Sequence, residues 1–172
     1  MDQKSNIVLI GMSGAGKSTL GVLLAKALGK SFADTDILIQ QKDGRLLQDM
    51  IDSDGTDAFL RVEEETVCEV TAKNTVIATG GSVVYSEKAM TALKREGVCV
   101  YLHVDFDELS TRLKNITTRG IVFKNANSLR QVYEERLPLY ERYADITVYC
   151  TGRSIEESIE KLVVELKQRR EL

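Results

Sequence analysis

Residues 11–18 combine glycines with a lysine and a serine at a spacing that suits phosphate chemistry. They read Gly-Met-Ser-Gly-Ala-Gly-Lys-Ser, which matches the pattern G-x-x-x-x-G-K-[ST], and they lie between a short apolar run and an Ala-rich helical pattern. Glycines let successive backbone N–H groups turn towards phosphate oxygens, and a helix that starts there adds its positive end. The run predicts a nucleoside triphosphate site, with Lys17 at the β- and γ-phosphates and Ser18 on Mg²⁺.

Two carboxylates form a second candidate for chemistry. Asp34 and Asp36 follow a short run that begins at Ser31, and side chains at i and i+2 project from the same side of a strand that stays extended. One carboxylate then tunes Mg²⁺ through water while the other accepts a proton from a hydroxyl group. The alternative is that Asp34 ends a strand and Asp36 caps the next helix, because Asp is favoured at N-caps.

A third candidate is the pair Gly80 and Gly81, which follows the apolar run at residues 76–78. Paired glycines at the end of a strand allow a ligand to approach the backbone closely. By itself the pair indicates only a turn. Its position gives it weight, because ligands in open α/β sheets bind at the carboxyl ends of the strands.

Short β-branched runs alternate with helical patterns along the chain, which is typical of a parallel sheet covered by helices. Five strands are predicted, at residues 7–10, 31–35, 76–78, 98–102 and 146–149. Seven helical patterns accompany them, at residues 17–28, 37–51, 57–72, 86–96, 107–115, 128–143 and 154–168. Gly44 is a candidate break in the second of these helices. The prediction is therefore an α/β fold.

The size and composition of the chain restrict its class. At 172 residues it is long enough for a single domain, residues 1–172, with one core. The net charge of −3 gives no general attraction for nucleic acid, and the sequence has neither a signal-like N-terminus nor about 18 consecutive apolar residues. Three scattered cysteines have the character of small core residues in a reducing compartment; they are Cys68, Cys99 and Cys150. We expect a cytoplasmic protein that binds neither nucleic acid nor a membrane.

Taken together, these segments resemble the shikimate kinase family, whose members move the γ-phosphoryl group of ATP to a ring hydroxyl of a carboxylated, sugar-like acid. The resemblance spans nearly the whole chain and includes Phe59 with Glu63, Arg119, and the segment at residues 135–140 that contains Arg136. It implies a three-layer P-loop kinase fold, in which a five-stranded parallel sheet has helices on both faces and a mobile lid lies at residues 116–127. It also implies ATP and Mg²⁺ as cofactors, shikimate as the small-molecule acceptor, and a monomer.

The resemblance implies a role for each matching residue. Lys17, Asp36 and the lid residue Arg119 would be the catalytic residues, and Ser18 with Asp34 would hold Mg²⁺. The nucleotide-binding residues, of which the last two enclose the adenine, would be Gly14, Ala15, Gly16, Lys17, Ser18, Thr19, Arg112 and Arg153. The acceptor-binding residues, of which the last takes the acceptor carboxylate, would be Asp36, Glu63, Gly80, Gly81 and Arg136.

Three positions depart from the family pattern. Ser82 stands where the family has a third glycine, Gly120 where a proline follows the lid arginine, and Leu60 where an arginine helps to hold the acceptor. Leu60 and Glu63 share a helix face at i and i+3, so an apolar side chain replaces the cation expected beside Glu63, unless Leu60 belongs to the core. Arg61 cannot take its place, because neighbouring helix positions face about 100° apart. Gly120 is expected to loosen the lid.

These departures leave two alternatives open. Leu60 favours a kinase for another polar acid or sugar, such as a gluconate-type acceptor. The altered lid and glycine turn favour a nucleotide-responsive binding protein without transfer activity. ADP release, measured with and without a panel of hydroxy acids, distinguishes both alternatives from phosphorylation of shikimate.

Overall fold

The computed structural model describes residues 4–114, 120–124 and 126–169 of the chain. These residues form five strands, which are β1 (Asn6–Ile10), β2 (Ser31–Asp34), β3 (Thr75–Ala78), β4 (Gly97–His103) and β5 (Ile146–Tyr149). They also form eight α-helices, which are α1 (Lys17–Leu28), α2 (Thr35–Asp43), α3 (Leu47–Asp54), α4 (Thr56–Cys68), α5 (Glu87–Glu96), α6 (Phe106–Lys114), α7 (Leu129–Tyr143) and α8 (Ile155–Gln168). A short 3₁₀-helix, Val83–Tyr85, precedes α5. Among the described helices, none has the length and apolar character that a membrane span requires.

The five strands pair in parallel, in the order β2-β3-β1-β4-β5. The central strand, β1, is buried along its whole length, as expected for a continuous apolar run in a parallel sheet that is covered on both faces. The strand order reverses at β1, which has β3 on one side and β4 on the other. The carboxyl end of β1 is therefore the switch point at which such sheets bind ligands. The predicted α/β class and the five-stranded parallel sheet are confirmed.

The second predicted helix is divided, and it starts earlier than predicted. Gly44 ends α2 with a φ of 88°, a left-handed conformation that favours glycine. The N-cap of α2 is Asp34, whose side chain accepts a hydrogen bond from the backbone N–H of Asp36. The expectation that both carboxylates project from one side of an extended strand is wrong, because the strand ends at Asp34 and the helix begins at Thr35. The alternative is right that Asp34 ends the strand and wrong that Asp36 is the cap, because Asp34 has that role.

Two apolar clusters hold these elements together. The main core fills both faces of the sheet and contains Cys99 and Cys150 as buried free thiols. The second apolar cluster is smaller and joins α2, α3 and α4 to the loop between α6 and α7. Its buried members are Ile39, Met50, Phe59 and Val122, and Leu47, Ile51, Leu60 and Val62 pack against them. Burial of each large apolar side chain contributes roughly 1.5–3 kcal/mol, so this cluster stabilises the arrangement of the three helices beyond the edge of the sheet.

Candidate functional site

The glycine-rich run forms the loop between β1 and α1, at the switch point of the sheet. Helix α1 begins at Lys17, so its first N–H groups are available to an anion held by the loop. Lys17 is buried, and its ammonium donates to the carbonyl oxygens of Gly11, at 2.7 Å, and Met12, at 2.8 Å. These hydrogen bonds hold the cation within the loop. The helix terminus and the ammonium together give the loop the geometry and charge that phosphate binding requires.

Ser18 and Asp34 meet beside this loop. The Ser18 hydroxyl donates to Oδ2 of Asp34 at 2.6 Å, while Oδ1 of Asp34 accepts from the N–H of Asp36 at 2.9 Å. Hydroxyl and carboxylate oxygens are the ligands that Mg²⁺ prefers, and at phosphate sites Mg²⁺ takes one or two carboxylates together with oxygens of the substrate. Across the described ranges, no group of three or more His, Cys, Asp and Glu side chains is arranged to hold a metal ion. The Ser18–Asp34 pair therefore fits a Mg²⁺ ion that arrives with a nucleotide.

Asp36 and Glu63 converge on the glycine turn that follows β3. A Cβ atom on Gly80 would lie 2.7 Å from Oδ1 of Asp36 and 2.6 Å from Oε1 of Glu63. Real Cβ contacts are longer than this, so glycine is what allows the two carboxyl groups to approach the backbone so closely. A Cβ atom on Gly81 would lie 3.2 Å from the backbone nitrogen of Ser13 in the phosphate loop. The turn thus brings one carboxyl from α2 and one from α4 to a point next to the phosphate loop.

Glu63 is buried, with 2% of its surface exposed. Its Oε2 accepts a hydrogen bond of 2.7 Å from the Ser82 hydroxyl, and within the described part of the chain its Oε1 has no hydrogen-bond partner. Burial is the main cause that raises the pKa of Glu63 to about 7, and the nearby Asp36 raises the pKa further. The hydrogen bond from Ser82 and the charges of Arg136 and Lys17 act in the opposite direction and lower the pKa. Ser82, which the sequence shows only as a departure from the glycine pattern, is the direct partner of Glu63.

Arg136 of α7 is buried, with 1% of its surface exposed. Its Nη2 donates to the carbonyl oxygen of Val122 at 2.7 Å, and its Nε donates to the Tyr85 hydroxyl at 3.2 Å. Its Nη1 lies 2.9 Å from the point that a Cβ atom on Gly81 would occupy. Two nitrogen atoms therefore fix the guanidinium, and the third faces the glycine turn.

Leu60 packs against the second apolar cluster and is partly buried. Arg61, the one basic residue of α4, is exposed to solvent. Within this helix, which the structure describes completely, no cation therefore balances Glu63. The packing supports the interpretation of Leu60 as a core residue, which the sequence left open.

A cavity of about 190 Å³ lies between the start of α1, helix α6 and the loop that joins β5 to α8. Five of the predicted nucleotide-binding residues line it, namely Ala15, Gly16, Thr19, Arg112 and Arg153. Arg112 Nη1 donates to the carbonyl oxygen of Gly14 at 3.0 Å, and Arg153 Nε donates to that of Tyr149 at 2.9 Å. The structure thus brings the two arginines to one cavity beside the phosphate loop, and their contact with adenine stays a prediction.

Glu108, which no sequence motif singles out, joins two walls of this cavity. The Glu108 carboxylate forms an ion pair with Arg112, one turn further along α6, and accepts a hydrogen bond of 2.7 Å from the N–H of Gly152. A carboxylate at i and an arginine at i+4 is a helical pair that a sequence can show. The contact with Gly152 depends on the fold and leaves no trace in local spacing.

The predicted lid falls partly outside the described residues. Arg119 lies there, together with residues 115–118 and 125, so its catalytic role stays a prediction. Gly120 lies against α3, since a Cβ atom on it would be 3.1 Å from the Cβ of Leu47. Val122 is buried in the second apolar cluster, and its carbonyl oxygen accepts from Arg136. This close approach leaves little room for a larger residue at position 120, and the predicted loosening of the lid stays a prediction.

One cavity of about 210 Å³ connects the phosphate loop with the glycine turn. The predicted site residues that line it are Lys17, Ser18, Asp34, Asp36 and Gly81, and its other walls include Ser13, Gln40, Leu47 and Gly120. A bound triphosphate and a hydroxyl compound in this space would meet between the loop and the Asp36 carboxylate. The arrangement suits the transfer of a phosphoryl group to a hydroxyl oxygen.

A loop suited to phosphate and a carboxylate meet at the switch point of a parallel sheet, and this combination is typical of the P-loop kinases. A family model for shikimate kinase matches residues 13–167. The shikimate kinase from Thermodesulfovibrio yellowstonii is 36% identical over 166 residues, with 95% of this chain and 95% of that protein covered. The shikimate kinase from Thermobifida fusca is 36% identical over 168 residues, with 96% of this chain and 97% of that protein covered. The solved shikimate kinase from Acinetobacter baumannii, in complex with shikimate, has a TM-score of 0.88 at 28% identity, with 96% of this chain and 94% of that chain covered. The chain belongs to the shikimate kinase family.

Family membership confirms the resemblance that the sequence motifs indicated. It makes the protein a kinase that uses ATP as its phosphate donor and acts on a hydroxyl group. The P-loop kinase fold is confirmed as well, because the structural match extends over nearly the whole chain. The roles of individual side chains stay predictions, and they are developed as proposals below.

Proposed function

We propose that the protein transfers the γ-phosphoryl group of ATP to a hydroxyl group of shikimate, which yields shikimate 3-phosphate and ADP. One observation carries the proposal: a single cavity is lined both by Lys17 and Ser18 of the phosphate loop and by the Asp36 carboxylate. Phosphoryl transfer depends mainly on the placement of donor and acceptor and on stabilisation of charge. The shikimate-bound relative from Acinetobacter baumannii, which matches almost the whole chain, supports shikimate as the acceptor.

On the donor side, the loop N–H groups and Lys17 would hold the β- and γ-phosphates, and Ser18 with Asp34 would hold a Mg²⁺ ion. When bound, Mg²⁺ neutralises negative charge on the phosphate oxygens. Arg112 and Arg153 enclose the adenine, which orients the triphosphate along the loop. Arg119 contributes positive charge to the phosphates when the lid closes, so that water is excluded during transfer.

On the acceptor side, Asp36 orients the hydroxyl group and takes its proton as the new P–O bond forms and the bond from the γ-phosphorus to ADP breaks. Glu63, Gly80 and Gly81 line the acceptor site. Arg136 binds the acceptor carboxylate through the nitrogen that faces the glycine turn. Because its other nitrogen atoms already donate to protein oxygens, Arg136 is oriented before the acceptor binds. No covalent enzyme intermediate is formed.

The test is ADP release from MgATP with shikimate and with a panel of hydroxy acids that includes gluconate. We expect release that depends on shikimate, and we expect Asp36→Asn to lose transfer to every acceptor while its affinity for ATP, measured by calorimetry, is nearly unchanged. Release with gluconate or another acid but not with shikimate would favour the second candidate, a kinase for a different polar acid, to which Leu60 points. Binding of ATP without release in any mixture would overturn transfer altogether.

We also propose that the protein acts as a monomer in a reducing cytoplasm. Every predicted site residue within the described ranges belongs to one chain, so a second copy is not needed to complete the site. The three free cysteines, two of them buried, fit a reducing compartment. Light scattering should give a mass near 19.2 kDa, and a mass twice as large would contradict the monomer.

A further inference from the structure

Glu63 lies among charged groups from three other elements. Asp36 faces it from α2, Arg136 from α7 and Lys17 from α1. Helix α4, which carries Glu63 and lies wholly within the described residues, offers it no cation, because the neighbouring Leu60 packs against the second apolar cluster. The charge of a buried carboxylate here would depend on Arg136 and Lys17.

The described hydrogen bonds of both cations go to oxygen atoms other than those of Glu63. Arg136 donates from Nη2 to Val122 and from Nε to Tyr85, and Lys17 donates to two carbonyl oxygens of the phosphate loop. Neither has a described ion pair with Glu63. A buried carboxylate without a hydrogen-bonded cation is disfavoured relative to the neutral acid. The raised pKa of Glu63 agrees with this, since burial is its main cause.

Ser82 fixes the direction in which the carboxyl group points. Its hydroxyl donates to Oε2 of Glu63 at 2.7 Å, which leaves Oε1 beside Gly80, close to Oδ1 of Asp36. Oε1 has less than 1 Å² of accessible surface and no described hydrogen-bond partner. A proton on Oε1 would therefore lie at the same point of the Gly80 turn as the Asp36 carboxylate, which lines the cavity, and it would lower the repulsion between the two carboxyl groups. An acceptor oxygen reaches Oε1 when the turn shifts slightly on binding.

We propose that Glu63 binds the acceptor as a neutral carboxylic acid, which Ser82 holds in place and which donates a hydrogen bond from Oε1 to an acceptor oxygen. The proposal rests on the proposed function and deepens it. Asp36 takes the proton of the hydroxyl that is phosphorylated, and Glu63 donates to the oxygen of a neighbouring hydroxyl. The site thus selects acids that carry two adjacent hydroxyl groups. One hydroxyl donates a hydrogen bond to Asp36, and the other accepts one from Glu63.

Selectivity follows from the burial of Glu63. An acceptor that lacks the neighbouring hydroxyl leaves the Oε1 proton without a partner, and a buried polar group left without a partner weakens binding by about tenfold or more. A site that requires a hydrogen bond rejects the analogue without it much more strongly than an apolar pocket rejects a smaller substrate. Ser82 is a positioning residue in this account, since it acts through Glu63.

The first measurement needs no substrate. Protein labelled with carbon-13 at the Glu carboxyl groups is titrated by NMR across the neutral pH range as wild type, Glu63→Gln and Ser82→Ala. Glu64→Gln is the matched control, because Glu64 is the next carboxyl on α4 and pairs with Ser86 outside the site. We expect one resonance that titrates with a midpoint near 7 and that is lost only in Glu63→Gln. Ser82→Ala should raise its midpoint, because the Ser82 hydrogen bond favours the carboxylate.

The second measurement is kcat/KM for shikimate against pH at saturating MgATP. In the wild type and in Glu64→Gln it should fall as the pH rises through the Glu63 midpoint. In Glu63→Gln, whose amide N–H is a permanent donor, that fall should be absent. Wild type should disfavour an analogue without the neighbouring hydroxyl by at least about tenfold, and Glu63→Ala should lose this discrimination.

Three outcomes would overturn the proposal. They are a Glu63 resonance that titrates near the ordinary value of 4.5, a pH profile in Glu63→Gln that falls as in the wild type, and equal discrimination by wild type and Glu63→Ala. Failure of the proposed function looks different, because then no shikimate-dependent ADP release is seen. In that case the NMR titration still decides whether Glu63 is a neutral acid.

Discussion

The buried Glu63 carboxyl makes the stability of the folded protein depend on pH. Its pKa is raised from 4.5 to about 7, so between these values the folded chain holds a proton that the unfolded chain has lost. Stability falls with rising pH wherever the folded state binds more protons. The free energy of unfolding should therefore decrease through this window, by up to about 3 kcal/mol, and Glu63 should add no further pH dependence above it.

Glu63→Gln should remove this dependence, because the amide cannot lose a proton. Urea unfolding near pH 4.5 and above pH 7, the limits of the window, measures the effect. The variant and the wild type should be close in stability at the acid limit, and the variant should be more stable at the upper one. Glu64→Gln, at a position that is only partly buried, should show no such difference. An equal stability gap between Glu63→Gln and wild type at both pH values would contradict this account.

Leu60→Arg tests what the missing cation does to acceptor binding. If shikimate is the acceptor, an arginine there supplies a charge-assisted contact worth about 1.5–3 kcal/mol, which lowers the KM for shikimate by up to about 10- to 150-fold. Because the same cation would lower the pKa of Glu63 and so remove its proton at neutral pH, the KM is measured at a pH well below the Glu63 midpoint. Leu60→Met keeps the apolar contact with the second cluster and is the matched control, with an unchanged KM. Steady-state kinetics at saturating MgATP measures both variants. A KM in Leu60→Arg equal to that of the wild type would show that position 60 does not limit acceptor affinity.

At the scale of single residues, the sequence allows prediction of residues that belong to one contiguous motif. The positions of Lys17 and Ser18 at the start of α1 were predictable because a phosphate loop has them at a fixed spacing after the glycines, and their roles stay predictions. The hydrogen bond from Ser82 to Glu63 was not predictable, because the two residues are 19 positions apart and meet only when the glycine turn packs against α4. Local spacing carries no information about such a contact.

Secondary-structure elements were predicted well where composition decides and less well where two local preferences compete. All five strands were found, because buried parallel strands are short β-branched runs between helical patterns. The end of β2 was misplaced by one residue, because Asp34 serves both as the last residue of the strand and as the cap of α2. Gly44 marked the end of α2 correctly, since its positive φ favours glycine.

The ion pair on α6 gives a prediction about an element. Glu108 holds Arg112 and also the N–H of Gly152, so it sets the distance between α6 and the loop that carries Arg153. Glu108→Ala should raise the KM for ATP more than it lowers kcat and leave the KM for shikimate unchanged. Glu108→Gln keeps an oxygen for Gly152 and should recover part of the loss. Equal effects of Glu108→Ala on both KM values would show that α6 serves general stability instead.

On the scale of the whole molecule, two groups of helices line two separate cavities at the carboxyl edge of the sheet. The cavity proposed for the nucleotide lies at α1, α6 and the start of α8, and the proposed acceptor side is built by α2, α3, α4 and the glycine turn. Residues 120–124 belong to the acceptor side, because Gly120 lies on α3 and Val122 completes the second apolar cluster. The sequence predicted a lid here but not this packing, since a loop that lacks periodicity shows no partner.

The lid prediction separates chemistry from stability. Arg119→Ala should lower kcat strongly and change the free energy of unfolding by no more than about 0.5 kcal/mol, because an arginine that acts on bound phosphates contributes little to the empty protein. Val122→Ala should instead lower the free energy of unfolding by about 1.5–2 kcal/mol, because it removes two buried methyl groups from the second apolar cluster. Steady-state kinetics and urea unfolding of the two variants measure the contrast.

Hydrogen exchange should show residues 116–121 more protected with MgATP and shikimate than without ligands, and equal protection in both states would contradict a lid that closes on its substrates.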